Sequence, residues 1–137
     1  MIIAKTQILN LTPTATITTI VMDLKSFSSV RNAAVDLRSK ISSIDIIIMN
    51  AGTIGIEFEL VEGIHALQVV NHFSHFLFLN LIIDLLNFER DSPPRVISLA
   101  SGAHAHASGD FKFWERYDSV EVAKQSIPTS DFPGNFS

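Results

Sequence analysis

The alternation of apolar and polar positions predicts strand, helix, strand, helix, strand between residues 16 and 101. Residues 16–22, Thr-Ile-Thr-Thr-Ile-Val-Met, are rich in β-branched side chains and predict the first strand. Ser26 then offers a helix cap. Phe27, Val30, Ala34, Leu37 and Ile41 recur at helical spacing, leaving Arg31, Arg38 and Lys40 for water. Residues 45–52, Asp-Ile-Ile-Ile-Met-Asn-Ala-Gly, form an apolar run closing in small residues, the pattern of a strand buried on both faces. A long helix over residues 64–87 is apolar around much of its circumference, so it is expected to be covered on more than one side. Pro93 and Pro94 stop any continuation, and residues 95–101 read as a third strand. Residues 8–15, with Pro13, read as a connection, and residues 127–137 as an irregular tail.

Such alternation predicts an α/β protein: a partial Rossmann-like, three-layer fold with a parallel sheet of about three strands. One domain over residues 1–126, with its core at 16–101, accounts for the pattern. In open parallel sheets, ligands bind outside the carboxyl ends of the strands, which puts Asn50, Ala51 and Gly52 where chemistry would sit. On local grounds alone, the same three residues serve equally well as a plain turn.

Composition narrows the class. Apolar residues make up 47% and charged residues 18% of the 137, which fits a globular chain and not a disordered one. A formal net charge of -4 and no cluster of Lys or Arg argue against a nucleic-acid partner. Without cysteine there are neither disulfides nor thiolate metal sites, and a cytoplasmic location is the expectation. Lys5 interrupts an amino-terminal apolar run too short for a secretory signal. The most apolar stretch, residues 73–86, carries His75, Asn80 and Asp84 and is expected to fall short of a membrane span.

Four stretches together resemble the short-chain dehydrogenase/reductases, in particular their retinol-dehydrogenase-like branch. They are Asp23-Leu24, Ile48-Met49-Asn50-Ala51-Gly52, Val70-Asn71-His72-Phe73-Ser74-His75-Phe76 and Arg95-Val96-Ile97-Ser98-Leu99-Ala100-Ser101, in the family's order and at fitting intervals. The resemblance implies an NADP- or NAD-dependent oxidoreductase acting on an alcohol or carbonyl of a lipophilic small molecule, such as a retinoid or secondary metabolite. It implies that Asp23 receives the adenine amino group and Leu24 lies against the ring, although Asp23 serves as well to cap the following helix. Asn50, Ala51 and Gly52 would border the cofactor ribose. Asn71 would keep its helix kinked and hold a relay water, and Ser101 would hydrogen-bond the substrate carbonyl.

The departures from the family bear on competence. Its phosphate-binding turn needs glycines between a first strand and a helix, yet Gly52, Gly55, Gly63, Gly102, Gly109 and Gly134 are the only glycines, and none opens such a unit. The family's general acid is a Tyr with a Lys four residues later. Here Tyr117 is followed at that distance by Glu121, and Lys124 is displaced. The chain therefore reads as a truncated member, inactive or weakly active alone. In the family's strand order the predicted strand at 16–22 has no inherited neighbour, which leaves three outcomes: direct pairing with the strand at 45, completion by another chain, or poor stability.

Other candidates weigh less. His104 and His106 alternate in a small-residue loop with no carboxylate pair, and no metal is expected. His72 and His75, three apart on the long helix, are expected to pack or cap. Phe111, Phe113 and Trp114 would cover open apolar surface or line a substrate entrance. The competing functional reading is a non-catalytic interaction protein that uses an open sheet edge or the long helix to bind a partner, either a second copy or a full-length relative.

Overall fold

A computed structural model describes residues 2–54, 59–89 and 91–102. Its elements, in order, are α1 (Ile2–Leu11), α2 (Phe27–Lys40), β1 (Ile46–Met49), the hairpin strands β2 (Leu60–Val61) and β3 (Ile64–His65), one long helix, Ala66–Leu85, and β4 (Arg95–Ser98). The long helix has three parts: α3 (Ala66–Gln68) opens it, a π turn over Val69–Phe73 interrupts it, and α4 (Ser74–Ile82) with a closing 3-10 turn completes it.

The helix expected after Ser26 is present. The Ser26 side chain accepts the Ser29 N–H, satisfying one of the donors a helix start leaves without an internal partner. Val30, Ala33 and Ala34 are buried on one face, while Arg31, Arg38 and Lys40 are exposed. Arg38 and Lys40 lie in the last turn, where the helix dipole favours cations. Arg38 also forks onto Asp84 at 2.9 and 2.6 Å, tying the end of α2 to the end of the long helix.

β1 and β4 pair in parallel, with Ile46 opposite Arg95 and Met49 opposite Ser98. Ile47 points inward and packs with Ala34 of α2 and Ile82 of α4, surrounded by Leu37, Met49, Phe78, Leu79 and Leu86. This is the partial α/β arrangement of parallel sheet and helices expected from the sequence, with the helices on one face of the sheet among the described residues. Full burial of side chains such as Ile82 and Val30 is worth about 1.5–3 kcal/mol each, so this junction of sheet, α2 and α4 is where the stability is concentrated.

Several expectations are corrected. Residues 16–22 form no strand: among the described residues nothing pairs with them, and the parallel sheet has two strands instead of about three. β-branched composition makes a segment suited to a sheet, but only a neighbour's N–H and C=O groups make it a strand. Direct pairing of this segment with β1, one of the three outcomes open at the outset, does not occur. Residues 2–11, expected to be partly connection, form α1, with Pro13 beyond its end, where it costs the helix nothing.

β1 is buried on one face only. Ile46 is 53% and Ile48 62% exposed, because the continuous apolar run meets a helix layer on one side alone. The long helix starts at Ala66 instead of residue 64 because the chain first turns back as a hairpin. Glu62 and Gly63 take positive φ values of 51° and 81°, the pair required by a two-residue hairpin turn whose twist matches its strands.

Nor is the long helix covered all round, since Phe76 is 61% and Ile83 48% exposed. At 20 residues, with mean hydropathy 1.4 over its most apolar window, it has the length and composition of a membrane span, contrary to the expectation that it falls short. Its Asn71, Ser74, His75 and Asp84 nevertheless hydrogen-bond other parts of the domain.

Candidate functional site at the carboxyl end of the parallel sheet

The register that sets Met49 opposite Ser98 sends both strands off the same end of the sheet, towards Asn50-Ala51-Gly52 on one side and Leu99-Ala100-Ser101 on the other. Two side chains one turn apart on the long helix grip the first of these turns. Asn71 accepts the Thr53 N–H at 2.8 Å through Oδ1 and donates Nδ2–H to the Thr53 carbonyl at 2.9 Å. His75 Nε2 lies 2.7 Å from the Ala51 carbonyl oxygen, an acceptor, so this nitrogen carries the proton.

Gly52 lies between these two anchors. A Cβ built there would come within 3.0 Å of Asn71 Oδ1, so the close approach of turn and helix depends on the missing side chain.

Asn71 occupies the centre of the π turn, where the Ser74 N–H donates to the carbonyl of Val69, five residues back, instead of four. One extra residue in a helical turn re-aims the side chains on either side of it, and such turns cluster at functional sites. The same distortion places Ser74 inward. Its fully buried hydroxyl donates to the Leu24 carbonyl at 2.6 Å, so the long helix holds the Asp23-Leu24 turn as well. Asp23 itself is exposed, and its Oδ1 accepts the Lys25 N–H at 2.9 Å while its own N–H donates to Ser29 Oγ at 3.0 Å.

The long helix thus gathers Leu24, Ala51, Gly52 and Asn71 into one cluster of contacts. Asn50 and Ser101 stand exposed at the same end of the sheet. His72 stacks on Phe76 and meets Phe73 edge-on, and among the described residues no three metal-ligating groups converge. His104, His106, Phe111, Trp114, Tyr117 and Lys124 lie outside the described residues.

Two residues absent from the sequence-based candidates complete the surroundings. Ser74 is one; a lone hydroxyl inside an apolar helical run was the available signal. The other is His65, 3% exposed, whose Nδ1 accepts the Leu67 N–H at 3.0 Å and so caps the long helix. Burial pushes its pKa below the ordinary value, because charge is costly away from water. Lys25 pairs with Glu59, just ahead of the hairpin, linking the Leu24 turn to the start of that helix.

Asp23 Oδ1 is already engaged in its local turn, and the sequence has no glycine-rich run between a strand and a helix. The arrangement is that of an open α/β fold, in which ligands bind at the carboxyl ends of parallel strands.

Relatives narrow the class further. No family model matches the chain. It is 36% identical over 91 residues to human "Retinol dehydrogenase 13", covering 66% of this chain and 27% of that protein. It is 34% identical over 107 residues to "Short-chain dehydrogenase TIC 32 A, chloroplastic" of Brassica napus, covering 75% of this chain and 33% of the relative. A solved structure of an uncharacterized protein from Mycobacterium paratuberculosis superposes with TM-score 0.56 at 29% identity, over 74% of this chain and 34% of that one. Over two thirds to three quarters of its length the chain is similar to short-chain dehydrogenase/reductases, and it spans about a third or less of the length of these relatives.

Proposed function

We propose that this chain is the middle of an NAD(P)-dependent oxidoreductase fold for alcohol or carbonyl groups of lipophilic small molecules, and that by itself it lacks catalytic competence. The observation that carries the reading is the grip of Asn71, from the centre of a π turn, on the backbone beside Gly52. A helix distorted at a polar residue, with that residue spent on holding a turn at the carboxyl end of a parallel strand, is an arrangement that positions a ligand wall.

The family resemblance assigns Asp23 and Leu24 to the adenine side, Asn50, Ala51 and Gly52 to the ribose, and Ser101 to the substrate oxygen. Asn71 retains one N–H and one lone pair beyond its bonds to Thr53, enough for a relay water. NAD(P), where bound, supplies the hydride-carrying ring. The Tyr-x-x-x-Lys pair that would supply the proton has no counterpart at that spacing, and loss of a general acid alone costs about two to four orders of magnitude in rate.

Retinol dehydrogenase 13, by its name, acts on retinol, and this supports a lipophilic alcohol as the ancestral substrate class. The binding-module reading draws support from the exposure of Ile46 and Ile48 on the sheet. The test is to titrate the full chain with NADPH and NADH, following the fluorescence of its single Trp, and to assay turnover of retinol and simple secondary alcohols. No hydride transfer is expected. Robust turnover with only coenzyme and substrate added would overturn the proposal of incompetence.

A further inference from the structure

The connection from the long helix to β4 leaves the domain and returns to almost the same point. Leu86 bridges Ile44, the Asn87 N–H donates to the Ile44 carbonyl at 3.0 Å, and the Arg95 N–H donates to the carbonyl of the next residue, Asp45, at 2.9 Å. Both anchors are backbone bonds, so the two ends of the loop are fixed side by side while its middle faces water. Phe88, Glu89, Asp91, Ser92, Pro93 and Arg95 are all exposed.

Residues 92–95, Ser-Pro-Pro-Arg, have a backbone set by their own chemistry. Each proline fixes its φ and keeps the residue before it out of the helical region, so Ser92 and Pro93 are extended and lead directly into β4. In an extended, polyproline-like run three residues make one turn, which brings Arg95 back to the side of Ser92 about 9 Å further along. Among the described residues nothing bonds the Ser92 hydroxyl.

We propose that Ser92 is a phosphorylation site, used by a protein kinase of the proline-directed class that selects a basic residue at the third position after the acceptor. In the transfer, Ser92 Oγ bonds to the γ-phosphorus of kinase-bound ATP as the bond from that phosphorus to the β–γ bridging oxygen breaks. ADP leaves, and the hydroxyl proton passes to the catalytic carboxylate of the kinase. Proline has no N–H to strand in a kinase groove that offers no acceptor, where any other residue would leave one unpaired. Arg95 meets an anionic group of the kinase during transfer and the new phosphate afterwards, each time in a charge-assisted pair.

The chain's other Ser/Thr-Pro step, Thr12-Pro13, lacks both the extended backbone and the basic residue. The Thr12 N–H donates to the Ile8 carbonyl at 2.8 Å and its carbonyl accepts the Ala15 N–H at 3.0 Å, closing a turn with Ala15 where the cation should stand. The loop at Ser92 enters β4 at its amino end, opposite the candidate ligand site. A dianionic phosphate there takes the formal net charge from -4 to about -6 without covering that site. The inference does not rest on the oxidoreductase reading, and its test involves no coenzyme, so either can fail alone.

The full chain is incubated with a purified cyclin-dependent kinase and MgATP, and the product is read by intact mass and peptide mapping. A single phosphate at Ser92 is expected, lost in Ser92→Ala and retained in Thr12→Ala. Arg95→Gln should lower kcat/KM for the transfer about tenfold or more, the worth of a charge-assisted pair, and Arg95→Lys should keep most of it. Both residues are exposed, so these variants should keep the urea midpoint of the unaltered chain. No phosphate, a phosphate placed on Thr12 in preference to Ser92, or a rate at Ser92 indifferent to Pro93→Ala and Arg95→Gln in folded variants overturns the proposal.

Discussion

Residues 16–22 and residues 46–49 look alike as text: both are short, β-branched and apolar, and both lie next to α2 in the chain. One becomes a strand and the other does not. β1 has β4 along its length and Ala34 and Ile82 beneath Ile47, while the earlier segment has no ladder partner among the described residues, and its Val21 is 75% exposed. What separates them is neighbours and not propensity. A strand is a relation between two segments, and the sequence of one of them is half of the information.

Core truncation should expose this contrast most sharply. Ile82→Ala empties a site 1% exposed at the meeting point of sheet and helices, and should cost about 2–5 kcal/mol in urea denaturation. Val21→Ala, in the unpaired segment, should change stability by no more than about 0.5 kcal/mol. Equal losses at the two positions would mean that residues 16–22 are packed after all.

A smaller effect is expected at the turn following β1. Asn71→Ala removes both bonds to Thr53, and should cost about 1–3 kcal/mol while speeding hydrogen exchange at the Thr53 amide. Protection that survives the substitution would show that the π turn holds the strand end without its side chain.

The smallest effect concerns pH. His65 has its folded pKa depressed below 6.5 by burial, so the unfolded chain binds the proton more readily. The contribution of neutral His65 is fully present above about pH 6.5, and is lost as the pH falls through the lower folded value. Protonation also removes the Nδ1 lone pair that accepts the Leu67 N–H. The urea midpoint should therefore fall on going from pH 8 to pH 5, and His65→Gln should flatten that slope. An unchanged slope in the variant would assign the dependence to other groups.

Much of the site was legible in the sequence. Asn71 stands out as an amide within an apolar helical run, and Gly52 as a small residue closing a buried strand. What the string could not convey is that they touch, because the chain between Thr53 and Asn71, 18 positions apart, includes a hairpin that turns it back on itself. Ser74 and His65 escaped notice for a related reason. Each is a single polar residue whose partner, or whose burial, comes from chain folded around it.

By itself the sequence determined α2, with its Ser26 cap and its buried stripe of Val30 and Ala34, because capping and helical periodicity are complete within one stretch of backbone. It also determined the kinship, through four short stretches kept in order. Only the tertiary structure decided that, among the described residues, the parallel sheet has two strands with Ile46 and Ile48 exposed, that residues 2–11 form α1, and that the long helix breaks its regular turn at Asn71 to hold the end of β1. Sheet pairing, burial and helix distortion are all set by atoms distant along the chain, and local pattern carries no record of which distant segment will arrive.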